Sequence, residues 1–121
     1  MLQTPTDPNK EHYHVTCPIE MTAEIICGKW TLLIIRDLAR ETQRFVSLER
    51  SLAGISPKTL SERLRTLERI GVVTRQTFGE VPPRVEYSLT EKGRDLAQVI
   101  EQMRIFGVKW MNQSGDCDCD E

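Results

Sequence analysis

Hydrophobic residues recur at helical spacing through the first half of the chain. The spacing predicts a helix over about 18–27, which begins with a proline and ends at Gly28. A second helix is expected over about 31–40, because its leucine and isoleucine residues repeat every three or four positions. A short third helix is marked by three apolar residues at similar spacing: Phe45, Leu48 and Leu52.

The fourth predicted helix, over 57–70, separates its apolar and polar positions most sharply. Ser56 precedes it as an N-cap residue, and Gly71 follows it as a C-terminal stop. Its apolar side chains recur at i, i+4 and i+7: Leu60, Leu64 and Leu67. The opposite face is polar and largely cationic, which is typical either of a solvated surface helix or of a helix that enters a DNA groove.

Beyond Gly71 the pattern changes to the alternation that is typical of strands. Strands are expected over 72–78 and 85–89, and the glycine and prolines between them predict the tip of a hairpin. Thr90 then caps a long final helix over about 91–112. One stripe of that helix is apolar: Leu96, Ile100, Met103, Gly107 and Trp110. So wide an apolar surface indicates that the helix is buried against something besides its own domain.

These elements define one fold. A third and fourth helix joined by a tight turn form a helix-turn-helix, and a hairpin behind them forms a wing. We therefore expect an α+β fold that is mainly α, namely a winged helix-turn-helix with a two-stranded wing and a long C-terminal helix. The expected organisation is a flexible N-terminal arm over 1–14, the winged domain over 15–112 and an acidic tail with two cysteines over 113–121.

Positive charge is concentrated around the fourth helix, although the formal net charge of the chain is −2. From Arg44 to Arg84 there are eight basic and four acidic residues, which gives this region a charge of +4. Binding to phosphate requires such a distribution. The chain has no apolar run long enough to span a membrane and no signal-peptide pattern, so a cytoplasmic protein is expected.

An enzyme is not expected. The chain has no glycine-rich nucleotide loop, no Ser-His-Asp set and no pair of carboxylates that this fold would bring together. The two histidines, His12 and His14, both fall in the predicted arm. No cofactor is expected either.

The polar face of the fourth helix supplies the candidate DNA contacts. Arginine pairs bidentately with guanine, serine and threonine reach bases or phosphates, and the first half of such a helix enters the major groove deepest. The expected groove contacts are Lys58, Thr59, Ser61, Glu62 and Arg65. Glu62 could accept a hydrogen bond from cytosine or exclude wrong bases. Arg69, near the C-terminal end of the fourth helix, is expected to contact phosphate or to act as a charge at the helix end.

Three further basic residues are candidates outside this helix. Arg84 follows two prolines in the hairpin and is expected to enter a minor groove or to contact phosphate. The alternative for Arg84 is a salt bridge to Glu80 or Glu86. Lys29 and Arg44 lie at the starts of predicted helices, and either phosphate contact or plain solvation is consistent with their positions.

The cysteines suggest a different chemistry. Cys17 precedes the first helix, where the helix dipole and free N–H groups favour the thiolate, which makes it a candidate redox-sensing residue. The alternative is a small apolar N-cap residue that packs against a partner. Cys27 falls in an apolar pattern and is expected to be an inert buried thiol. Cys117 and Cys119 could bind a soft metal or form a redox pair, or they could simply belong to a disordered acidic end. Two cysteines do not make a closed zinc site unless His12, His14 or a second subunit supplies the other ligands, so no metal site is assigned.

From Cys17 to about Trp110 the chain resembles the HxlR-type winged helix-turn-helix regulators, a bacterial group related to the MarR regulators. The matching motifs are CPIE (17–20), GKWTLLI (28–34), RF (44–45), GIS (54–56), LSERLRTLE (60–68) and PPRVEYSLTEKG (82–93). The resemblance implies a homodimer that is joined through the first and last helices and binds two half-sites on double-stranded DNA. It also implies that Cys17 senses oxidants or electrophiles.

The expected function is therefore that of a sequence-specific, double-stranded DNA-binding transcriptional regulator, homodimeric and switched at Cys17. Two alternatives stay open. The same fold could be switched by a small ligand at the dimer interface, or it could be a protein–protein interaction module that does not bind DNA. The cationic face of the fourth helix counts against the second alternative.

Overall fold

The structure, a computed structural model, describes residues 17–111 of the chain. Within this range the predicted helices and strands follow one another in the predicted order, and one short strand is added between the second and third helices. Their bounds are α1 Pro18–Ile25, α2 Lys29–Arg40, β1 Gln43–Arg44, α3 Phe45–Ser51, α4 Pro57–Arg69, β2 Val73–Phe78, β3 Arg84–Leu89 and α5 Glu91–Trp110. The predicted arm (1–14) and the whole of the predicted tail (113–121), with Cys117 and Cys119, lie outside the described residues.

The hydrophobic core lies where α2, α3, α4 and the sheet meet. Leu60, Leu64 and Leu67 of α4 are buried, as their spacing predicts. They belong to one cluster with Ile34 of α2 and Leu48 of α3, both of which are fully buried. Since burial of each such side chain contributes about 1.5–3 kcal/mol, this cluster fixes which face of α4 is turned inward.

The strands form one antiparallel sheet in the order β1-β3-β2. β2 and β3 pair along their whole length, from Val73 opposite Leu89, and they form the expected hairpin. β1 adds a third strand on the other side of β3, with Gln43 opposite Tyr87. The sequence pattern does not predict β1, because two residues are too few to show an alternation.

Helix boundaries differ from the predictions by a few residues. α1 ends at Ile25 rather than at about residue 27, and α2 begins at Lys29 rather than Thr31. Between them Gly28 has a φ of 98°, a left-handed conformation that suits glycine. α1 therefore ends earlier, and α2 begins earlier, than the spacing of apolar residues predicts.

The end of α4 and the start of α5 are joined by a tight set of contacts. The Thr90 hydroxyl donates to the Gly71 carbonyl at 2.6 Å and accepts from the Gly93 backbone N–H at 3.0 Å. Gly93 lies so close to the sheet that an added Cβ would be 2.3 Å from the Val72 carbonyl oxygen. A larger residue at position 93 would therefore displace α5.

Asp37 is a charged residue on the buried side of α2, with 1% of its surface exposed. Its carboxylate accepts from Arg36 Nη2 at 2.6 Å and from Ser51 Oγ at 2.7 Å. The Gln43 side-chain amide donates to the Asp37 carbonyl oxygen at 3.1 Å. These bonds connect α2 to the end of α3 and to β1, so the orientation of α3 depends on a polar network as well as on apolar packing.

Replacing Asp37 with alanine would leave the largely buried Arg36 guanidinium without its carboxylate partner and the Ser51 hydroxyl without its acceptor. We expect Asp37→Ala to lower the free energy of unfolding by about 3 kcal/mol. Ser51→Ala, which removes a single hydrogen bond, is expected to cost about 1 kcal/mol. Urea unfolding at one fixed protein concentration measures both, and equal midpoints for the two variants would contradict a structural role for the carboxylate.

Candidate nucleic-acid interface

α4 begins at the predicted N-cap. The Ser56 Oγ accepts from the Thr59 backbone N–H at 3.1 Å and lies 3.0 Å from Thr59 Oγ1, to which it donates. Thr59 is half-buried, so this predicted groove contact is partly engaged with the cap. The Thr59 hydroxyl oxygen accepts the bond from Ser56, so the hydroxyl proton of Thr59 remains available to a ligand.

The other predicted contacts on α4 share one polar surface. Lys58, Glu62, Arg65 and Arg69 are all exposed and follow one another at spacings of three and four residues. Ser61 is half-buried at the edge of this surface. The structure therefore brings together the residues that the sequence proposes, on the face opposite the buried leucines.

A polar cleft of about 290 Å³ lies between α4 and the sheet. Its lining residues are Ser61, Arg65 and Glu68 of α4, Arg75 of β2 and Tyr87 of β3. The cleft extends the polar surface of α4 toward the hairpin. Sequence alone does not single out Arg75, although this residue contributes to the local positive charge.

Arg84 is held against its own hairpin. Its Nη1 lies 3.1 Å from Glu80 Oε2. Its Nε lies 3.2 Å from Glu86 Oε2, an ion-pair distance without hydrogen-bond geometry. The guanidinium also stacks 4.2 Å from the centroid of the Phe78 ring. The structure thus shows the salt bridges that were the alternative for this residue, and a DNA contact by Arg84 would require it to exchange both carboxylates.

Lys29 and Arg44 lie at element starts, as predicted, and both are exposed. Lys29 is the first residue of α2, and its Nζ lies 4.7 Å from the Trp30 ring centroid. Arg44 closes β1 and is the N-cap residue of α3. The structure does not bring either residue into the polar cleft of α4.

The two cysteines within residues 17–111 occupy opposite ends of α1. Cys17 is the N-cap residue and half-buried, and its thiol makes no capping hydrogen bond. Cys27 is exposed, so the expectation of a buried thiol is wrong. The reason is that α1 ends at Ile25, which places Cys27 beyond the helical pattern on which that expectation was based.

Large apolar side chains are exposed on α1 and α5. Ile19 of α1 is 78% exposed, and Phe106 and Trp110 of α5 are 58% and 63% exposed. Such side chains on neighbouring turns of a helix are typical of an association surface. The wide apolar stripe of the last helix predicts the α5 part of this surface, whereas the part on α1 is expected only from the family resemblance.

A second cavity, of about 380 Å³ and mainly apolar, lies between α2 and α5. Arg36 and the ion pair of Glu101 with Arg104 stand among its lining residues. The side-chain hydrogen bond from Arg104 holds the pKa of Glu101 below its ordinary value. Glu101 therefore stays ionised at neutral pH.

Within residues 17–111, no helix is both long and apolar enough to cross a bilayer. The same residues contain no group of three or more histidine, cysteine, aspartate or glutamate side chains placed to hold a metal ion.

A helix-turn-helix with a cationic outer face and an adjoining hairpin defines a transcription regulator of the winged helix-turn-helix class. The chain belongs to the HxlR-like helix-turn-helix family, whose sequence pattern matches residues 25–115. It is 40% identical to sll1512, an HTH-type transcriptional regulator of Synechocystis sp., over 98% of this chain and 87% of that one.

Solved structures agree with this assignment. A chain assigned to the MarR family of transcriptional regulators from Porphyromonas gingivalis W83 superposes with a TM-score of 0.76 at 36% identity, over 90% of this chain and all of that one. The redox regulator HypR in its oxidized form superposes with a TM-score of 0.73 at 39% identity, over 77% of this chain and 96% of that one. The winged-helix fold expected from the sequence is therefore confirmed.

Proposed function

We propose that this protein is a sequence-specific, double-stranded DNA-binding transcriptional regulator that acts as a homodimer and not as an enzyme. The observation that carries the proposal is α4, a helix with one fully buried apolar face and an exposed cationic face beside a hairpin wing. Membership of the HxlR-like family supports it. In a bacterium, such a regulator acts in the cytoplasm, where the chromosome lies.

In this proposal the outer face of α4 reads the major groove. Lys58 and Arg65 are separated by seven positions, which span about 10 Å along a helix, or roughly three base pairs. Ser61 and Glu62 lie between them, and Thr59 offers its hydroxyl proton at the start of the helix. Arg65 is the strongest candidate for a base contact, since its exposed guanidinium fits the two acceptors of guanine.

Other basic residues contact the phosphate backbone. Arg69 lies about 6 Å further along α4 than Arg65, beyond the positions that enter the groove deepest. Lys29 and Arg44 are exposed cations that also fit phosphate contacts. Arg84 joins them only where DNA phosphates replace Glu80 and Glu86 as its partners.

Dimerisation is assigned to α1 and α5. Three large apolar side chains are exposed to water in the single chain: Ile19, Phe106 and Trp110. Their burial against a second copy of the chain would be favourable. A two-fold dimer presents two copies of α4, and half-sites about 34 Å apart lie on the same side of the duplex. In this arrangement α1 and α5 join the two copies, and both copies of α4 remain available to bind the duplex.

The proposed trigger is oxidation or electrophile modification of Cys17. This thiol begins α1, the helix that carries exposed Ile19, so its modification would change the association surface. Peroxide converts a thiolate to sulfenic acid with loss of hydroxide, and a quinone adds to the sulfur directly. The similarity to HypR, a redox regulator, supports a thiol switch.

Arg65→Ala tests the reading of DNA by α4. Loss of a bidentate base contact is expected to weaken binding by about 1–3 kcal/mol and to relax preference at one base pair of each half-site. Fluorescence anisotropy with a duplex that the wild type selects from a random library measures this over a range of salt concentrations. Arg94→Ala, which removes an exposed cation from α5, is the charge-matched control. Wild-type binding that does not respond to salt, or equal binding by Arg65→Ala, contradicts the proposal in favour of an interaction module.

Phe106→Glu tests the association surface. A buried, unpaired carboxylate is strongly unfavourable, so this variant is expected to sediment as a monomer where the wild type sediments as a dimer. Its affinity for the selected duplex should fall, because only one half-site is bound at a time. Gln98→Glu adds the same charge to an exposed polar position of α5 and should remain dimeric. A wild type that is monomeric at micromolar concentration contradicts the assignment.

Cys17→Ser tests the trigger. Mild peroxide or a quinone should change the DNA affinity of the wild type and of Cys27→Ser, and leave that of Cys17→Ser unchanged. Mass spectrometry of the intact protein checks that the expected thiol carries the adduct. A Cys17→Ser variant that still responds overturns the assignment and directs attention to Cys117, Cys119 or a ligand in the cavity between α2 and α5.

A further inference from the structure

The polar cleft between α4 and the sheet has the composition of an anion site. Two of its five lining residues are arginines, Arg65 and Arg75, and Ser61 adds a hydroxyl. Glu68 is the one carboxylate among the lining residues, and no ion pair joins it to either arginine within residues 17–111. Two guanidinium groups therefore line one open cleft, and neither is ion-paired with Glu68 in the described part of the chain.

The strand register directs Arg75 toward α4. Side chains alternate along a strand, so Arg75 shares a face with Val73, which is buried, while Gln76 belongs to the other face. Arg75 lies opposite the buried Tyr87 but is itself exposed. Arg75 thus belongs to an edge strand of the sheet and lines the cleft together with Ser61 and Arg65 of α4.

The two arginines of the hairpin, Arg75 and Arg84, differ in whether their side chains already have partners. Arg84 already has two glutamate partners and an aromatic ring within its hairpin. The Arg75 side chain forms no ion pair, hydrogen bond or ring contact in the part of the chain that the structure describes. The cation that the wing can offer without breaking existing bonds is therefore Arg75, at the base of the hairpin.

We propose that this cleft binds one phosphodiester group of the DNA strand that passes between α4 and the wing. Arg75 supplies the bidentate guanidinium donors, and the Ser61 hydroxyl supplies a further donor. Arg65 stands at the mouth of the cleft, between this phosphate and the bases. The inference rests on the proposed DNA binding and adds to it a residue, Arg75, that fixes the position of the backbone without reading sequence.

The test compares Arg75→Ala with the wild type on two duplexes, the selected one and a scrambled duplex of the same composition. A phosphate contact predicts that both affinities fall by a similar factor, of about tenfold. The slope of log affinity against log salt should become shallower by about 0.9 for each cleft that binds, and so by nearly 2 in a dimer. Arg75→Lys, which keeps the charge, should recover most of the slope but not all of the affinity.

Two further variants separate the cleft from the strand. Glu68→Gln removes the only carboxylate of the cleft and should strengthen binding to both duplexes. Gln76→Ala alters the same strand on its other face and should bind like the wild type, which excludes a general disturbance of the hairpin. Circular dichroism and thermal unfolding check that each variant is folded.

The outcomes are distinguishable. If Arg75→Ala keeps the affinity and the salt slope of the wild type, the cleft proposal is wrong while the DNA-binding proposal stands. If the variant loses discrimination between the duplexes at an unchanged slope, Arg75 contacts a base and the phosphate assignment is wrong. If the wild type binds neither duplex, both proposals fall.

Discussion

The buried carboxylate of Asp37 is the interaction on which the arrangement of the helix-turn-helix depends. It accepts bonds from Arg36 and Ser51 and thereby joins α2 to the end of α3, while Gln43 ties the adjoining strand to the same turn of α2. A charge in the core is unfavourable unless every lone pair is used, so it tolerates few alternative geometries. The path of the chain into α4 follows from the position in which α3 is held.

The apolar seam of α4 completes this arrangement. Successive residues of a helix are about 100° apart, so a slip by one position would expose Leu60, Leu64 and Leu67 together. The loss of several kilocalories per mole prevents such a rotation. The buried leucines therefore hold the polar surface outward, and in the described residues the Arg65 side chain needs no hydrogen bond or ion pair to keep it there.

Much of this structure follows from local patterns, and the remainder depends on contacts between distant residues. The periodicities predict the helices, the hairpin and the polar surface of α4, because each repeats over several residues. They do not predict β1, which is too short, or the exposure of Cys27, which follows because α1 ends at Ile25, before Gly28. The roles of Asp37 and Arg75 depend on which helix packs beside each residue. The spacing of residues along the chain does not predict these tertiary contacts.

The contacts among Thr90, Gly71 and Gly93 have a mechanical consequence. α5 extends about 30 Å from this junction, since it has 20 residues. The first turn of α5 is held by hydrogen bonds to the end of α4, next to the start of the hairpin. The other end of the helix lies far from this junction. A displacement of the far end of α5 would therefore be transmitted through these hydrogen bonds to the end of α4 and the start of the hairpin.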